Sequence, residues 1–155
     1  MRKIAAGALV VAGLMIAVLS IGGGPAVAAS GSCPGKLVEL RKMVVNHKTV
    51  GELAVYYDSA SGRNCARFNH VGWTRGKSML TRAWVGICSE RTAGAKTCHY
   101  NPATDGVDKG RYSYYAGPVS TKTSAAGRCI AASGYLWING TRHAVGTSPW
   151  VGHCG

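Results

Sequence analysis

The sequence predicts an all-β fold, a small disulfide-stabilised antiparallel sandwich or barrel of about six to eight short strands. Two observations carry the prediction. Short alternating runs recur along the chain, punctuated roughly every 8–12 residues by Gly, Pro, Asn, Asp and Ser, which supply turn geometry. All six cysteines, Cys33, Cys65, Cys88, Cys98, Cys129 and Cys154, follow an apolar N-terminal segment. That is the pattern of an exported chain stapled by disulfides. No internal repeat or heptad competes with this reading.

The N-terminal segment has the features of a secretory signal peptide. Arg2 and Lys3 give a positive start, residues 4–19 are apolar except for Gly7 and Gly13, and Ala26-Val27-Ala28 offers small residues before a cleavage site. Removal of residues 1–28 is expected, with the bond after Ala29 as the alternative. That leaves 29–155 as a single secreted β domain with no membrane span, because Gly22-Gly23-Gly24-Pro25 interrupts the apolar run. About 126 residues remain, enough for one core. Without Arg2 and Lys3 the 18 basic side chains fall to 16 against six acidic ones, a net charge of +10. Such a charge favours anionic partners, although the basic residues are scattered and no run exceeds Arg41-Lys42.

Residues 36–48 fit two patterns. Leu37, Leu40 and Val44 suit a helix face, whereas Val38, Leu40 and Val44 suit one side of a strand; Val44-Val45 and the turn-like Asn46-His47-Lys48 favour the strand. In 52–57, Leu53, Val55 and Tyr57 alternate with Glu52, Ala54 and Tyr56. Asp58-Ser-Ala-Ser-Gly62 is turn chemistry, and 64–68 alternates again, which predicts a β-hairpin. Residues 71–76 are expected as a loop. A strand over 78–87 places Met79, Thr81, Ala83, Val85 and Ile87 on one face, with Arg82 and Trp84 on the other. Cys88 and Cys98 enclose nine residues rich in Ser, Thr, Ala and Gly, which predicts a turn closed by its own disulfide. Residues 101–110 read as loop and 112–121 as one strand, with Gly117-Pro118 marking a bulge or an edge. Residues 127–132 and 135–138 read as two further strands. Asn139-Gly140 then turns the chain into 141–145, a strong hairpin signal because a type I′ turn needs positive φ at both positions. The hairpin accounts for Asn139 without invoking glycosylation of Asn139-Gly-Thr141.

Chemistry-bearing residues are sparse. Glu39, Glu52, Asp58, Glu90, Asp105 and Asp108 are all the carboxylates, and no Gly-x-Ser-x-Gly elbow occurs. Asp105 and Asp108 are too isolated for a calcium loop, which needs about 6–8 oxygens. Cys98-His99 and His153-Cys154 lack zinc-ligand spacing. No metal or cofactor is expected. The enzyme reading that composition permits is a basic extracellular hydrolase, a nuclease or wall hydrolase, using His70 or His153 with Glu52. Two pairs join a cation to an aromatic, Arg67-Phe68 and Arg82-x-Trp84, and make Arg67 and Arg82 the candidate contacts to an anionic polymer. Nucleic acid is not the expected partner. A third reading is an exported inhibitor presenting the 96–109 loop.

Tyr112-Ser-Tyr-Tyr-Ala-Gly-Pro-Val119, Gly127-Arg-Cys-Ile130, the C-terminal Ser148-Pro-Trp150 with His153-Cys154-Gly155, and Val55-Tyr-Tyr-Asp-Ser-Ala-Ser-Gly-Arg-Asn-Cys65 resemble the spore-associated protein A family of actinobacteria. The matches run from about Cys33 to the end, with the middle third poorly covered. The resemblance implies a small protein of the spore or cell exterior without an established biochemical activity. It also implies that Cys33, Cys65, Cys129 and Cys154 form a shared framework, with Cys88 and Cys98 added as a local pair. Among those four cysteines the pairing stays open. The expected function is non-catalytic adhesion to anionic wall or spore-surface polymers.

Overall fold

A computed structural model describes residues 31–155, which form one compact unit. The expected signal peptide lies outside the described residues. Eight strands build two four-stranded antiparallel sheets. The first sheet contains β1 (Lys36–Val45), β2 (Lys48–Asp58), β3 (Arg63–His70) and β6 (Tyr115–Ser120), in the order β1-β2-β3-β6. The second contains β4 (Met79–Ile87), β5 (Gly106–Tyr112), β7 (Ile130–Ile138) and β8 (Thr141–Gly146), in the order β5-β4-β7-β8. The all-β expectation holds: of the ambiguous residues 36–48, Lys36–Val45 form β1, Asn46 and His47 make the turn, and Lys48 opens β2.

Period-two alternation decides what lies between the sheets. From the first sheet come Leu53, Val55, Ala66, Phe68 and Ala116; from the second come Ala83, Val85, Ile130, Ala132 and Leu136. Thr81, Ala83, Val85 and Ile87 share the inner face of β4, as the sequence predicts, with Met79 partly buried beside them. Trp84 faces away from this core. It packs in a second cluster with Cys88, Cys98, Cys129 and Val151, and its ring stacks on Trp150 and meets Tyr100 edge-on.

The hairpins follow their turn chemistry. Asp58 accepts bonds from the Ala60 N–H and the Ser61 hydroxyl, closing the β2–β3 turn. Asn139 and Gly140 have φ of 49° and 79°, as a type I′ turn requires. Gly117 and Pro118 are both a bulge and an edge: Ala66 pairs with Val119 but Phe68 with Ala116, so β6 carries one extra residue, and β6 ends its sheet.

Three boundaries differ from expectation. Residues 106–110, read as loop, belong to β5. Gly106 is needed there for close approach, since a Cβ would lie 2.5 Å from the Ser120 carbonyl oxygen. Residues 112–121 are not one strand: the chain turns at Ser113 and Tyr114 between β5 and β6. That turn lacks Gly, Pro, Asn and Asp. It is held by tertiary bonds from the His70 N–H to the Tyr114 carbonyl and from the Gly76 N–H to the Ser113 carbonyl, both 2.7 Å. Conversely, residues 130–138 form one strand, and 127–129, expected in strand, lie outside it, because Gly127 at φ 69° and the Arg128 N–H to Ala125 carbonyl bond make a turn there. Gly134, in the gap between the two expected strands, sits against the Phe68 ring, where a Cβ would come within 2.1 Å.

The disulfides are Cys33–Cys65, Cys88–Cys98 and Cys129–Cys154. The local Cys88–Cys98 bridge is as predicted, and the structure supplies the other two pairings. Three disulfides suit an oxidising, non-cytoplasmic location. No helix among the described residues is long and apolar enough to cross a membrane.

Candidate functional sites on the two outer faces

The outer face of the second sheet is built from residues that alternate with its core. Lys109, Arg82 and Tyr135 stand in one cross-strand row across β5, β4 and β7. Arg142 pairs with Trp137 and lies over the Tyr135 ring at 5.7 Å, and Arg82 lies over Trp84 at 5.8 Å. Arg111, Leu80 and Trp137 line a shallow depression beside them. The four strands carry a single acidic residue, Asp108, and its side chain does not face this surface. It bridges the sheets instead, accepting from the Tyr112 hydroxyl and from the Gly117 N–H at 2.7 Å. The Asp108 bond and burial push the Tyr112 phenol up to about 12. This face is therefore basic and aromatic, with guanidinium groups braced on rings.

Asp105 lies at its margin, buried, accepting from Trp84 Nε1 at 2.8 Å. Burial raises its carboxyl above the usual range, against the opposing effect of the Trp84 bond. Asp105 and Asp108 thus serve separate hydrogen bonds.

The other candidate is a cleft of about 430 Å³ at one end of the first sheet. Lys42, Glu52, Asn69 and Tyr115 form one cross-strand row on its outer face. Arg67 shares that face with Asn69 and lies over the Tyr115 ring at 5.2 Å; Arg75 lies over Tyr114 at 5.9 Å. Among the described residues, Glu52, Arg67 and Arg75 make no ion pair, and Arg67 Nε is buried without a partner.

A buried network fixes one wall of this cleft. His70 is 1% exposed, with Nδ1 3.2 Å from the Thr74 carbonyl and Nε2 2.8 Å from Thr81 Oγ1. A carbonyl only accepts, so in the neutral ring Nδ1 carries the proton and Nε2 is left as an acceptor, which competes with the Met79 carbonyl, 2.9 Å away, for the single proton of the Thr81 hydroxyl. The Thr74 hydroxyl in turn donates to the Val50 carbonyl at 2.6 Å, anchoring the short 3₁₀ turn Gly72–Thr74 on β2. Burial lowers the His70 pKa, opposed by the Thr74 bond. As pH falls below the unfolded value of about 6.5, the unfolded chain takes up the proton first. The contribution of neutral His70 is thus fully present above that pH and lost as pH falls toward the folded value. Urea unfolding at pH 7.5 and 5.5 should show a larger loss of stability in the native protein than in His70→Gln, at no more than about 1.4 kcal/mol per pH unit. Equal losses in both proteins would remove His70 as the cause.

The candidates singled out in the sequence separate in space. Arg67 and Arg82 lie on different sheets, on opposite outer faces, and do not form one site. His70 and Glu52 border the same cleft, but both His70 ring nitrogens are engaged in packing. His153 pairs with Glu39 at 2.6 Å rather than with Glu52. Cys88, Glu90 and Cys98 converge, yet the two sulfurs are joined as a disulfide and offer no thiolate to a metal. Part of the 96–109 loop, from Gly106, is strand. Sequence reasoning missed Lys109, Arg111 and Arg142 on one face and Arg75 and Tyr114 on the other. The alternation Lys109-Gly110-Arg111 was the available signal for the first set; nothing local marks Arg75 and Tyr114.

Comparison of the chain with protein-family models, with curated proteins and with solved structures finds no match.

Proposed function

We propose that this is an exported, non-catalytic adhesion protein of the cell or spore exterior, held on anionic surface polymers by the outer face of its β5-β4-β7-β8 sheet. The supporting observation is the gathering of Lys109, Arg82, Arg111 and Arg142 on one face with Trp137 and Tyr135, on strands whose single carboxylate is used elsewhere. A flat array of cations suits a repeating polyanion, because neighbouring strands stand about 4.8 Å apart and present charges at short intervals. The rings beneath Arg82 and Arg142 restrict the guanidinium groups and lower the ordering cost of contact. The resemblance to spore-associated proteins supports the same placement.

Retention of the mature protein on isolated walls and spores tests the reading. Binding should be strong at low salt and lost toward 1 M, where the screening length falls from about 10 Å to about 3 Å. Each cation near an anionic surface contributes on the order of 1 kcal/mol. The triple variant Arg82→Ala, Lys109→Ala, Arg142→Ala should therefore bind about 100-fold more weakly. Retention unaffected by the triple variant would discard this face as the contact.

A further inference from the structure

The cleft on the β1-β2-β3-β6 sheet has a different character from the flat basic face. Its polar groups converge rather than spread, and they lack partners. Arg67 Nε is buried and unbonded. The Glu52 carboxylate and the Asn69 amide are half-buried neighbours in register, and neither side chain is hydrogen-bonded among the described residues. A buried polar atom without a partner, as Arg67 Nε is, carries a desolvation cost that a ligand can offset, and Glu52 and Asn69 keep their bonding capacity free beside it. Tyr114 is 57% exposed and leaves ring surface open. A volume of about 430 Å³ falls within the range of small-ligand pockets.

We propose that this cleft binds a sugar unit carrying one anionic group. Arg67 and Arg75 meet the anion, each already stacked on a tyrosine so that its donors are oriented in advance. Glu52 accepts hydroxyl protons of the ring, and the Asn69 amide donates and accepts beside it. The Tyr114 ring covers the apolar C–H face of the sugar. Glu52 decides between ligand classes. It lies in the same cleft as the two arginines, so a continuous polyphosphate threaded through would meet a half-buried negative charge, whereas a sugar with one charge and several hydroxyls satisfies both ends. The walls need little rearrangement. The His70 N–H to Tyr114 carbonyl bond and the Gly76 N–H to Ser113 carbonyl bond lock the β5–β6 turn to the segment bearing Arg75.

The site lies on the opposite sheet from the adhesion face and does not rest on that reading. Titration of the mature protein, observed by NMR, uses four probes: galacturonate for the carboxylate form, glucose 1-phosphate for the phosphate form, maltotriose as the neutral sugar, and a dT10 oligonucleotide. One acidic sugar or both should shift the Tyr114 and Asn69 signals and bind at least about tenfold more tightly than maltotriose. Arg67→Ala should abolish the difference between acidic and neutral sugars, and Arg67→Lys should restore part of it. Glu52→Ala should weaken the acidic sugar about fivefold or more. Arg82→Ala with Arg142→Ala should leave this binding unchanged, so loss of wall retention and loss of sugar binding are read separately. Two results overturn the proposal: no saturation by either acidic sugar, or tighter binding of any anionic probe, dT10 included, once Glu52 is replaced by alanine.

Discussion

Phe68→Ala is expected to lower stability by about 3–5 kcal/mol, the largest effect of any single substitution considered for this chain. Phe68 is the only phenylalanine in the sequence and is fully buried. It sits on the inner face of β3, in register with Leu53 on one side and Ala116 on the other. Its ring fills a slot lined by glycine from both sheets: a Cβ on Gly51 would lie 2.3 Å from it, and one on Gly134 would lie 2.1 Å from it. Glycine cannot swing a side chain into the space that alanine leaves. The cavity therefore stays open, and the cost belongs at the upper end for aromatic truncation. For a domain of about 125 residues this amounts to a fall of about 10–20 °C in melting temperature. The converse substitution, Gly134→Ala, overfills the slot and should cost about 1–3 kcal/mol. The two sites are in contact, so they should couple. Phe68→Leu combined with Gly134→Ala should lose less than the sum of the single losses, as judged by urea denaturation. Strict additivity would show that the ring and the glycine do not share one packing site.

The same slot explains why parts of this fold were legible and others were not. Local chemistry marked the β2–β3 and β7–β8 hairpins, since Asp58, Gly62 and Asn139-Gly140 impose their turns without help. It also marked the inner face of β4, where five alternating residues face the core. The continuity of β7 through Gly134 was not legible because its reason for being glycine lies on another sheet. Ser113 and Tyr114 gave no turn signal because backbone groups of His70 and Gly76, more than 35 residues away in sequence, hold that turn. β1 looked ambiguous because it is an edge strand. Met43 is its only buried residue, while Leu40 and Val44 are 47% and 58% exposed, so no face selects a period. Lys36, Arg41 and Lys42 accompany those exposed apolar groups, a common protection of a free edge. The candidate sites follow the same division. Arg82 and Arg67 were visible as cations beside aromatics, but the sheet to which each belongs, and thus their separation, depends on strand order that spacing does not encode. The cleft was hidden for the same reason, since it joins β2, β3, the 3₁₀ segment and the β5–β6 turn.

Replacing both Cys33 and Cys65 by alanine should cost about 3–4 kcal/mol, the most of the three bridges on the loop-closure account, because this pair spans 32 positions. Cys129–Cys154, with a separation of 25, should follow closely, and Cys88–Cys98, with a separation of 10, should cost least, about 2–3 kcal/mol. The structural consequence should be local as well. Cys65 shares the outer face of β3 with Arg67, and its bridge ties residue 33 to the middle of the sheet just ahead of β1. In the first sheet β1 pairs with β2 alone and buries little apolar surface, so its attachment depends on ladder bonds, on the Glu39 bonds to His153 and to the Ser148 N–H, and on this staple. Amide hydrogen exchange on the double variant should show β1 losing protection before β3 and β7, while the native protein protects β1 and β2 together. The Cys88→Ala, Cys98→Ala variant should leave β1 unchanged and loosen only the segment that carries Glu90 and His99. If removal of the short bridge proved the more destabilising, closure entropy would not be the governing term. Packing of Cys88 and Cys98 against Trp84 would then be the better explanation, since both sulfurs belong to that second cluster.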